Sequence, residues 1–494
     1  MFRIGFDNNE YIRRQSAHIR ERIAQFGGKL YLEFGGKLFD DHHASRVLPG
    51  FAPDSKIRML VELAAEAEIV IVLSAADIEK NKVRGDLGIT YDQDTLRLID
   101  AFRDFGLYVG SVVLTRYTGQ PAAMAFGKRL EALGVKVYHH YSIPGYPSDV
   151  EKIVSDEGYG INEYIETTRS LVVVTAPGPG SGKMATCLSQ LYHDNKRGVR
   201  SGYAKFETFP VWNLGLKHPV NLAYEAATAD LNDVNMIDPF HLEAYAEMAV
   251  NYNRDVEIFP VVKAMFEHIY GTCPYKSPTD MGVNMAGYCI VDNDAVTEAA
   301  CDEILRRYYR ALCAERRGEG DGSDAAKIKM IMRSIGLDTP HRPVIAAAAA
   351  RAEQSGTPAV ALQLADGRIV TGKTSKLLGA PAAMLLNALK TLADIPKEID
   401  LISPDILAPV SALKVKQLGE HSPRLHVDEV LIALSICAVH DETARRAFSC
   451  LPCLRWCDAH ATVILPQTDE EHLKKLGVQI SCEPTYQTNK LYHR

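Results

Sequence analysis

A glycine-rich turn between a strand-like segment and a helical segment is the part of the sequence best suited to chemistry. Residues 171–175, LVVVT, form a β-branched run that predicts a buried strand. Residues 176–182, APGPGSG, follow as a turn, and Lys183 opens a segment with apolar residues at helical spacing. Backbone N–H groups of such a turn, the positive end of the helix and a lysine can together surround a phosphate. The residues expected to bind phosphate here are Gly178, Gly180, Ser181, Gly182 and Lys183.

The turn departs from the P-loop pattern GxxxxGK[ST] at two positions. Pro177 stands where the pattern has its first glycine, and Met184 stands where it has Ser or Thr. Met184 cannot ligate Mg²⁺, although Ser181 offers a substitute hydroxyl, so Mg²⁺ bound with a nucleotide is the one cofactor left open. The alternative interpretation is a tight turn whose glycines serve packing alone. Against that alternative, each glycine costs backbone entropy on folding, and this turn contains three.

Charged residues follow the neighbouring strand-like segments in the first part of the chain. In a parallel sheet the loops after the strands meet at one edge, where ligands bind. Arg116 follows the segment YVGSVVL and is expected to help neutralise a phosphate held by Lys183. Asp77, Asp86 and Asp238 are candidate acids, which would hold a metal ion or take a proton. Exposed loops are polar in any protein, and Asp238, which precedes a proline, fits a helix N-cap better than a catalytic acid.

Two further polar stretches are candidates to contact a substrate. Lys205 and Asn213 lie in residues 203–230, which are rich in Pro, Gly and hydrogen-bonding side chains. Lys276 and Asp280 lie in the polar segment YKSPTDMGVNMAGY, between two long helical patterns. Solvated connectors have the same composition, so that interpretation stays open for both stretches.

Alternating strand and helix patterns predict the fold class. Apolar strand-like segments occur at 30–34, 69–74, 108–114, 135–140 and 171–175, and helical patterns separate them, including one at 149–168. The prediction is an α/β fold: a doubly wound, mostly parallel sheet with a P-loop-like strand–turn–helix, a helical middle domain and a smaller α/β C-terminal domain. The predicted domain boundaries are 1–230, 231–336 and 337–494.

The last predicted domain has its own strands and a cysteine cluster. Residues 360–364 and 369–371 flank Asp366-Gly367 and predict a β-hairpin, and residues 463–465 predict another strand. Cys450, Cys453, Cys457 and His460 supply four potential ligands in one short segment. Their neighbours are apolar, and structural zinc sites usually draw on two separated pairs, so no metal site is predicted and the question of metal binding stays open.

Composition excludes several classes of function. A chain of 494 residues should form more than one domain. Its net charge of −7 gives no electrostatic case for a nucleic-acid or lipid surface as partner. No apolar run reaches the ~18 residues of a membrane span, and the N-terminal segment lacks the apolar core of a signal peptide. We therefore expect a cytoplasmic protein with reduced cysteines and no membrane partner.

Several long segments resemble one bacterial family, DUF1846, which is described only as a domain of unknown function. The resemblance extends over essentially the whole chain, and it implies an α/β N-terminal domain, a helical middle domain and a smaller α/β C-terminal part. It implies no activity and no catalytic residue. The segments that carry it are SAADIEKNKVRGDLGITYD, TRYTGQPAA, YSIPGYPSDV, APGPGSGKMATCLSQLYHD, KFETFPVWNLGLKHPVNLAYEAATADLNDVNMIDPFH and KSPTDMGVNMAGY.

Three hypotheses about function follow from the residues. The first is an enzyme that acts on a nucleotide or another phosphorylated small molecule, because phosphoryl chemistry consists largely of positioning and charge stabilisation. The second is a non-catalytic anion or nucleotide sensor, which the methionine after Lys183 favours. The third is an oligomeric structural protein with a degenerate loop. A homo-oligomer is expected for the protein, and the first two hypotheses predict a phosphate-containing ligand as partner.

Overall fold

The computed structural model describes residues 3–85 and 87–488 and divides the chain into two compact units. The first unit comprises Ile4–Glu225 and Asn232–Thr297. The second comprises Arg3, Ala226–Leu231 and the chain from Glu298 onward. Residues 231–336, which the sequence predicts as a helical domain, are therefore shared between the two units.

The first unit contains the strands and helices that carry the candidate site. Its strands are β1 (Leu30–Phe34), β2 (Ala67–Ser74), β3 (Val83–Arg84), β4 (Ile89–Thr90), β5 (Tyr108–Tyr117), β6 (Lys136–Tyr141), β7 (Leu171–Thr175), β8 (Gly202–Phe206), β9 (Asn235–Ile237), β10 (Val250–Tyr252) and β11 (Gly282–Val283). Its helices are α1 (Asn8–Gln25), α2 (His42–Val47), α3 (Ser55–Glu62), α4 (Ala75–Glu79), α5 (Tyr91–Asp104), α6 (Pro121–Ala132), α7 (Val150–Ile153), α8 (Lys183–Lys196), α9 (Pro219–Ala227), α10 (Pro239–Tyr245), α11 (Asn253–Tyr270) and α12 (Pro278–Met281). The long helix α13 (Asn293–Arg317) starts in the first unit and continues in the second.

A parallel sheet organises the first unit. Within the described residues it has seven strands in the order β11-β8-β1-β7-β2-β5-β6, and every neighbouring pair is parallel. All eight residues of β2 are buried, as expected for a strand covered by helices on both faces. The predicted α/β class with a mostly parallel sheet is confirmed.

The predicted helix at 149–168 is wrong. Only Val150–Ile153 is α-helical there, because the chain turns sharply at Gly158, where a β-carbon would lie 2.1 Å from the carbonyl oxygen of Lys152. The chain then runs beside β6, where the N–H of Glu163 donates to the carbonyl of His139 at 3.2 Å. Pairing with the sheet edge thus overrides the helical spacing of the apolar residues.

The second unit has a smaller mixed sheet. Its strands are β12 (Ala359–Gln363), β13 (Ile369–Lys373), β14 (Asp458–Ala461) and β15 (Gln479–Cys482), and its helices are α14 (Ser323–Ser334), α15 (Pro343–Ser355), α16 (Ala380–Leu392), α17 (Pro404–Lys416), α18 (Val427–His440), α19 (Glu442–Ser449) and α20 (Gln467–Lys475). The strand order is β13-β12-β14-β15, with β12 antiparallel to β13 and β14. The predicted hairpin is therefore confirmed.

The strand predicted at 463–465 is wrong, and the strand lies five residues earlier, at β14. The polar segment Asp458–Ala461 enters the sheet because Arg342 neutralises Asp458 through two hydrogen bonds of 2.9 Å. Arg306 donates to the same carboxylate at 2.9 Å.

In the part of the chain that the structure describes, no helix combines the length and apolar character needed to cross a membrane.

The ion pair of Arg342 and Asp458 should be a main source of stability in the second unit. Arg342 is fully buried, so Arg342→Met leaves a buried carboxylate short of its partner and should lower the free energy of unfolding by about 3 kcal/mol. Denaturant unfolding followed by circular dichroism measures the change. Arg445→Met, which breaks an exposed pair with Glu442, is the control and should cost less than about 1 kcal/mol. Equal losses in the two variants would contradict the assignment.

Candidate functional site

The carboxyl ends of β1 and β7 mark a switch point of the parallel sheet, the place where sheets of this kind have their ligand crevice. The connection from β1 to β2 passes β7 on its way along the sheet. The connection from β7 to β8 passes β1, so it runs in the opposite direction. Two neighbouring strands whose connections leave in opposite directions create the gap in which α/β proteins of this kind bind ligands. The glycine turn, residues 176–182, begins at this point because it directly follows β7.

The glycine turn presents a row of unused backbone donors. Across the described residues, no protein atom accepts a hydrogen bond from the N–H groups of Gly178 or of residues 180–185. Gly180 and Gly182 have φ angles of +72° and +96°, a left-handed conformation that a side chain disfavours. Unpaired N–H groups at a helix N-terminus carry partial positive charge, so this row favours an anion.

The turn is held in place from the β5 side of the sheet. The hydroxyl of Thr115 donates to the carbonyl of Ser181 at 2.5 Å. The Ser181 side chain is 2% exposed, and its hydroxyl has no hydrogen-bond partner among the described residues. A buried hydroxyl without a partner costs free energy, so Ser181 is available to an anion in the turn.

Two cations beside the turn lack a carboxylate partner. Lys183, the first residue of α8, is half-buried, and its ammonium contacts no acceptor among the residues that the structure describes. Arg116 is exposed and likewise forms no ion pair there. Its φ angle of +50° lies in the left-handed region, at a register shift between β5 and β6. Strained backbone of this kind clusters at functional sites.

Glu33 on β1 acts electrostatically on Tyr146 and Cys187, two groups that the cations Arg116 and Lys183 also influence. Burial raises the pKa of Tyr146 to about 12, with the charge of Glu33 adding to the rise and the charge of Arg116 opposing it. Burial also raises the pKa of the Cys187 thiol, and there Glu33 adds to the rise while Lys183 opposes it. Glu33 therefore influences one group near Arg116 and one group near Lys183. It lies on the face of the sheet that α8 covers.

A cluster of three charged side chains lies on the other side of β1. Lys205, on β8, is in register with Glu33 on β1. Its ammonium is 2.7 Å from a carboxylate oxygen of Glu207 and in direct contact with Asp255, in the first turn of α11. Burial alone would lower the pKa of Lys205. The two carboxylates outweigh burial, so the pKa is raised overall and the amine stays charged. Lys205 is thus already neutralised and is not a free counter-charge for phosphate.

The three candidate acids from the sequence have different surroundings. Asp77 lies after β2 and pairs with Lys82 at 3.5 Å. Asp238 caps α10 and also accepts from the N–H and hydroxyl of Thr279, so the N-cap interpretation is confirmed and all its acceptor sites are in use. Asp86 lies outside the described residues.

The remaining substrate candidates lie among elements other than the glycine turn. Asn213 is exposed, with its amide oxygen against Gly287. Asp280 forms a capping box with Ser277 at the start of α12 and accepts from the hydroxyl of Tyr245 at 2.9 Å. Lys276 lines a separate cavity of about 450 Å³ between α10 and α11.

No metal centre emerges at the cysteine cluster. Among residues 3–85 and 87–488, no group of three or more His, Cys, Asp or Glu side chains is arranged to hold a metal ion. The thiol of Cys450 instead contacts the carbonyl of Arg446, and that of Cys457 contacts the carbonyl of Cys453. His460 bonds to Ser481 at 2.9 Å within the small sheet.

Sequence reasoning missed three residues that shape the crevice. The sequence could have indicated Glu33, because it is the one charged residue in the apolar strand LYLEF. Asp255 and Tyr91 carried no such signal, since each is an ordinary residue in the first turn of a helix. Tyr91 explains one glycine: a β-carbon at Gly178 would lie 2.2 Å from the Tyr91 hydroxyl.

The contact between Tyr91 and Gly178 predicts a coupling between the two positions. Gly178→Ala should destabilise the protein by about 1–3 kcal/mol, because the new methyl group overlaps the tyrosine ring. Tyr91→Ala removes the ring, so adding Gly178→Ala to it should cost at least about 1 kcal/mol less. A double-mutant cycle from denaturant unfolding measures this coupling. Strict additivity would show that the turn does not pack on Tyr91.

Comparisons with known proteins place the chain in one family. The family model described as "Domain of unknown function DUF1846, N-terminal" matches residues 4–336, and its C-terminal counterpart matches residues 340–492. A UPF0371 protein of Corynebacterium glutamicum is 58% identical over 492 residues, which cover 99% of both chains. UPF0371 proteins of Streptococcus pyogenes serotype M5 and Corynebacterium urealyticum are each 57% identical over 99% of both chains. The chain therefore belongs to the DUF1846 family of uncharacterised bacterial proteins, as its sequence motifs predict.

Proposed function

We propose that the first unit binds a phosphorylated small molecule, with a nucleotide as one possibility, and acts on it in the crevice between β1 and β7. The row of unused N–H groups at Gly178 and residues 180–185 is the observation that carries this proposal. The N–H groups of residues 182–185 are unpaired at the start of any α-helix, so the specific signal comes from those of Gly178, Gly180 and Ser181, which precede them. Here they remain available at the start of a helix of 14 residues, whose dipole adds to their attraction for an anion.

The charges around the turn support a phosphate over a neutral ligand. Lys183 brings a half-buried positive charge, unpaired among the described residues, to the same helix terminus. Arg116, near the end of β5, adds a second cation with planar donors suited to a phosphate oxygen pair. Because neither charge contacts a carboxylate in the part of the chain that the structure describes, both are available to neutralise a dianion.

Ligand-dependent stability tests the phosphate site. Inorganic phosphate, pyrophosphate, ATP and GTP are added with and without Mg²⁺, and thermal unfolding and calorimetric titration are followed. A ligand present at 100 times its Kd should stabilise the protein by about 2.7 kcal/mol. Lys183→Met should weaken the affinity about 10- to 100-fold through the loss of a charge-assisted hydrogen bond.

Lys128→Met is the matched control for the lysine variant. Lys128 is exposed on α6, so its removal should leave the affinity within about twofold of the wild type. If none of the four probes stabilises the protein, or if the two lysine variants lose affinity equally, the glycine turn is not a phosphate site.

Arg116→Gly should separate the backbone strain at this position from its charge. Glycine tolerates a φ of +50°, so the free energy of unfolding should stay the same or rise by up to about 1 kcal/mol. The affinity for pyrophosphate should fall about tenfold, because the guanidinium is gone. Denaturant unfolding and calorimetric titration measure the two effects. A loss of stability with unchanged affinity would show that Arg116 has a structural role only.

A further inference from the structure

We propose that Lys205, Glu207 and Asp255 form a proton-transfer centre for this site. In this assignment Glu207 gives a proton to the bound phosphorylated molecule or takes one from it. The assignment rests on the proposed function for the identity of the ligand. It goes beyond that function by assigning a proton transfer to the part of the ligand that lies away from the phosphate.

The arrangement of charges in the cluster favours one bound proton. One ammonium, that of Lys205, faces two carboxylates, those of Glu207 and Asp255. The three side chains are only 21%, 11% and 15% exposed, so an uncompensated negative charge here is costly. A proton shared by the two carboxyl groups removes that charge.

The surroundings place the proton on Glu207. Asp255 lies in the first turn of α11, where the helix dipole favours its ionised form. Burial acts to raise the pKa of Asp255, but contact with Lys205 outweighs it and lowers that pKa. Burial raises the pKa of Glu207 to about 7, with Lys205 opposing and Asp255 adding to the rise. A carboxyl group with this pKa can both donate and accept a proton near neutral pH.

Among the described residues, Lys205 is the one cation in contact with Glu207. Glu207, which directly follows β8, faces Asp255 from α11 and Lys205 from β8. From β11 it faces the backbone of Gly282, where a β-carbon would lie 3.3 Å from its carboxylate. Tyr224 on α9 and Tyr252 at the end of β10 lie within its electrostatic reach. Beyond Asp255, the ion pair of Asp233 and Arg254 completes the charged surroundings, and Glu33 acts on Lys205 from β1.

The centre and the glycine turn lie on the same edge of the sheet. Lys205 is in register with Glu33, and Glu33 is in register with Val174 at the end of β7. Two strand spacings separate β8 from β7, which is about 10 Å. A molecule of the size of a sugar phosphate or a nucleotide spans that distance with its phosphate in the turn.

The proton-transfer step is balanced within the cluster. When Glu207 donates, its O–H bond breaks, the proton bonds to an oxygen or nitrogen of the ligand, and the electron pair remains on Glu207. The new carboxylate then faces the Lys205 ammonium, which compensates its charge. When Glu207 accepts a proton, the same steps run in reverse. Lys205 remains protonated throughout, so it serves as a fixed charge and not as a nucleophile.

Carbon-detected NMR of side-chain carboxyl groups tests the proton without any ligand. In the wild-type protein, the Glu207 resonance, assigned by its loss in Glu207→Gln, should titrate with a midpoint at about pH 7. Asp255→Asn should lower that midpoint, because a like charge is lost, and Lys205→Met should raise it. A Glu207 midpoint below about pH 5 would overturn the proposal, and the wild-type titration decides this even if a variant fails to fold.

Calorimetric titration with sulfate tests the link to the phosphate site. Sulfate is a dianion that does not titrate near neutral pH, and in the turn it should favour the protonated form of Glu207. Binding at pH 7 should therefore take up a proton, seen as a heat that depends on the buffer, and the affinity should fall about threefold from pH 6 to pH 8.

Glu207→Gln should bind sulfate within about twofold of the wild-type affinity and lose both the proton uptake and the pH dependence. Sulfate binding with the same uptake in this variant would overturn the proposal. The absence of sulfate binding to the wild type, together with a Glu207 midpoint at about pH 7, would instead contradict the proposed phosphate site. The two failures are therefore distinguishable.

Discussion

The hydrogen bonding of β7 between β1 and β2 is the constraint on which the candidate site depends. Leu171–Val174 pair with Leu30–Glu33 on one side, and Leu171–Thr175 pair with Ala67–Ile71 on the other. This insertion makes the connections after β1 and β7 leave in opposite directions and opens the crevice. It also puts the glycine turn one strand away from Glu33 and two strands away from Lys205. A β7 at the edge of the sheet would leave the same turn without these neighbours.

The turn itself illustrates how a fold can leave polar groups unsatisfied for a ligand. The N–H groups of Gly178 and residues 180–182 have no partner in the described chain, and the buried hydroxyl of Ser181 has none either. Each such group costs free energy unless water or a ligand satisfies it. Packing accounts for part of the local sequence, since Tyr91 excludes a side chain at Gly178. Packing does not account for Lys183, which has no partner among the described residues and lies beside the unused donors.

Two lysines of the first unit show opposite uses of a positive charge. Lys183 lies at the start of a helix with no carboxylate in contact among the described residues, so its charge is available. Lys205 is held by two carboxylates, and its charge instead controls their protonation. The proposed phosphate site and the proposed proton-transfer centre follow from this difference, and each lysine is tested by a separate readout.

Local patterns in the sequence determined the elements of the sheet, because burial and side-chain periodicity act over a few residues. The bounds of β1 and β7, the start of α8 at Lys183 and the cap at Asp238 all follow from neighbours in the chain. The same patterns failed at 149–168 and 463–465, where pairing with a strand or neutralisation of Asp458 outweighed local preference. Only the tertiary structure decided the strand order, the contact of Thr115 with Ser181 across 66 positions and that of Lys205 with Asp255 across 50. Backbone donors are alike in every strand, so the choice of partner depends on the packing of the whole sheet, which no short segment encodes.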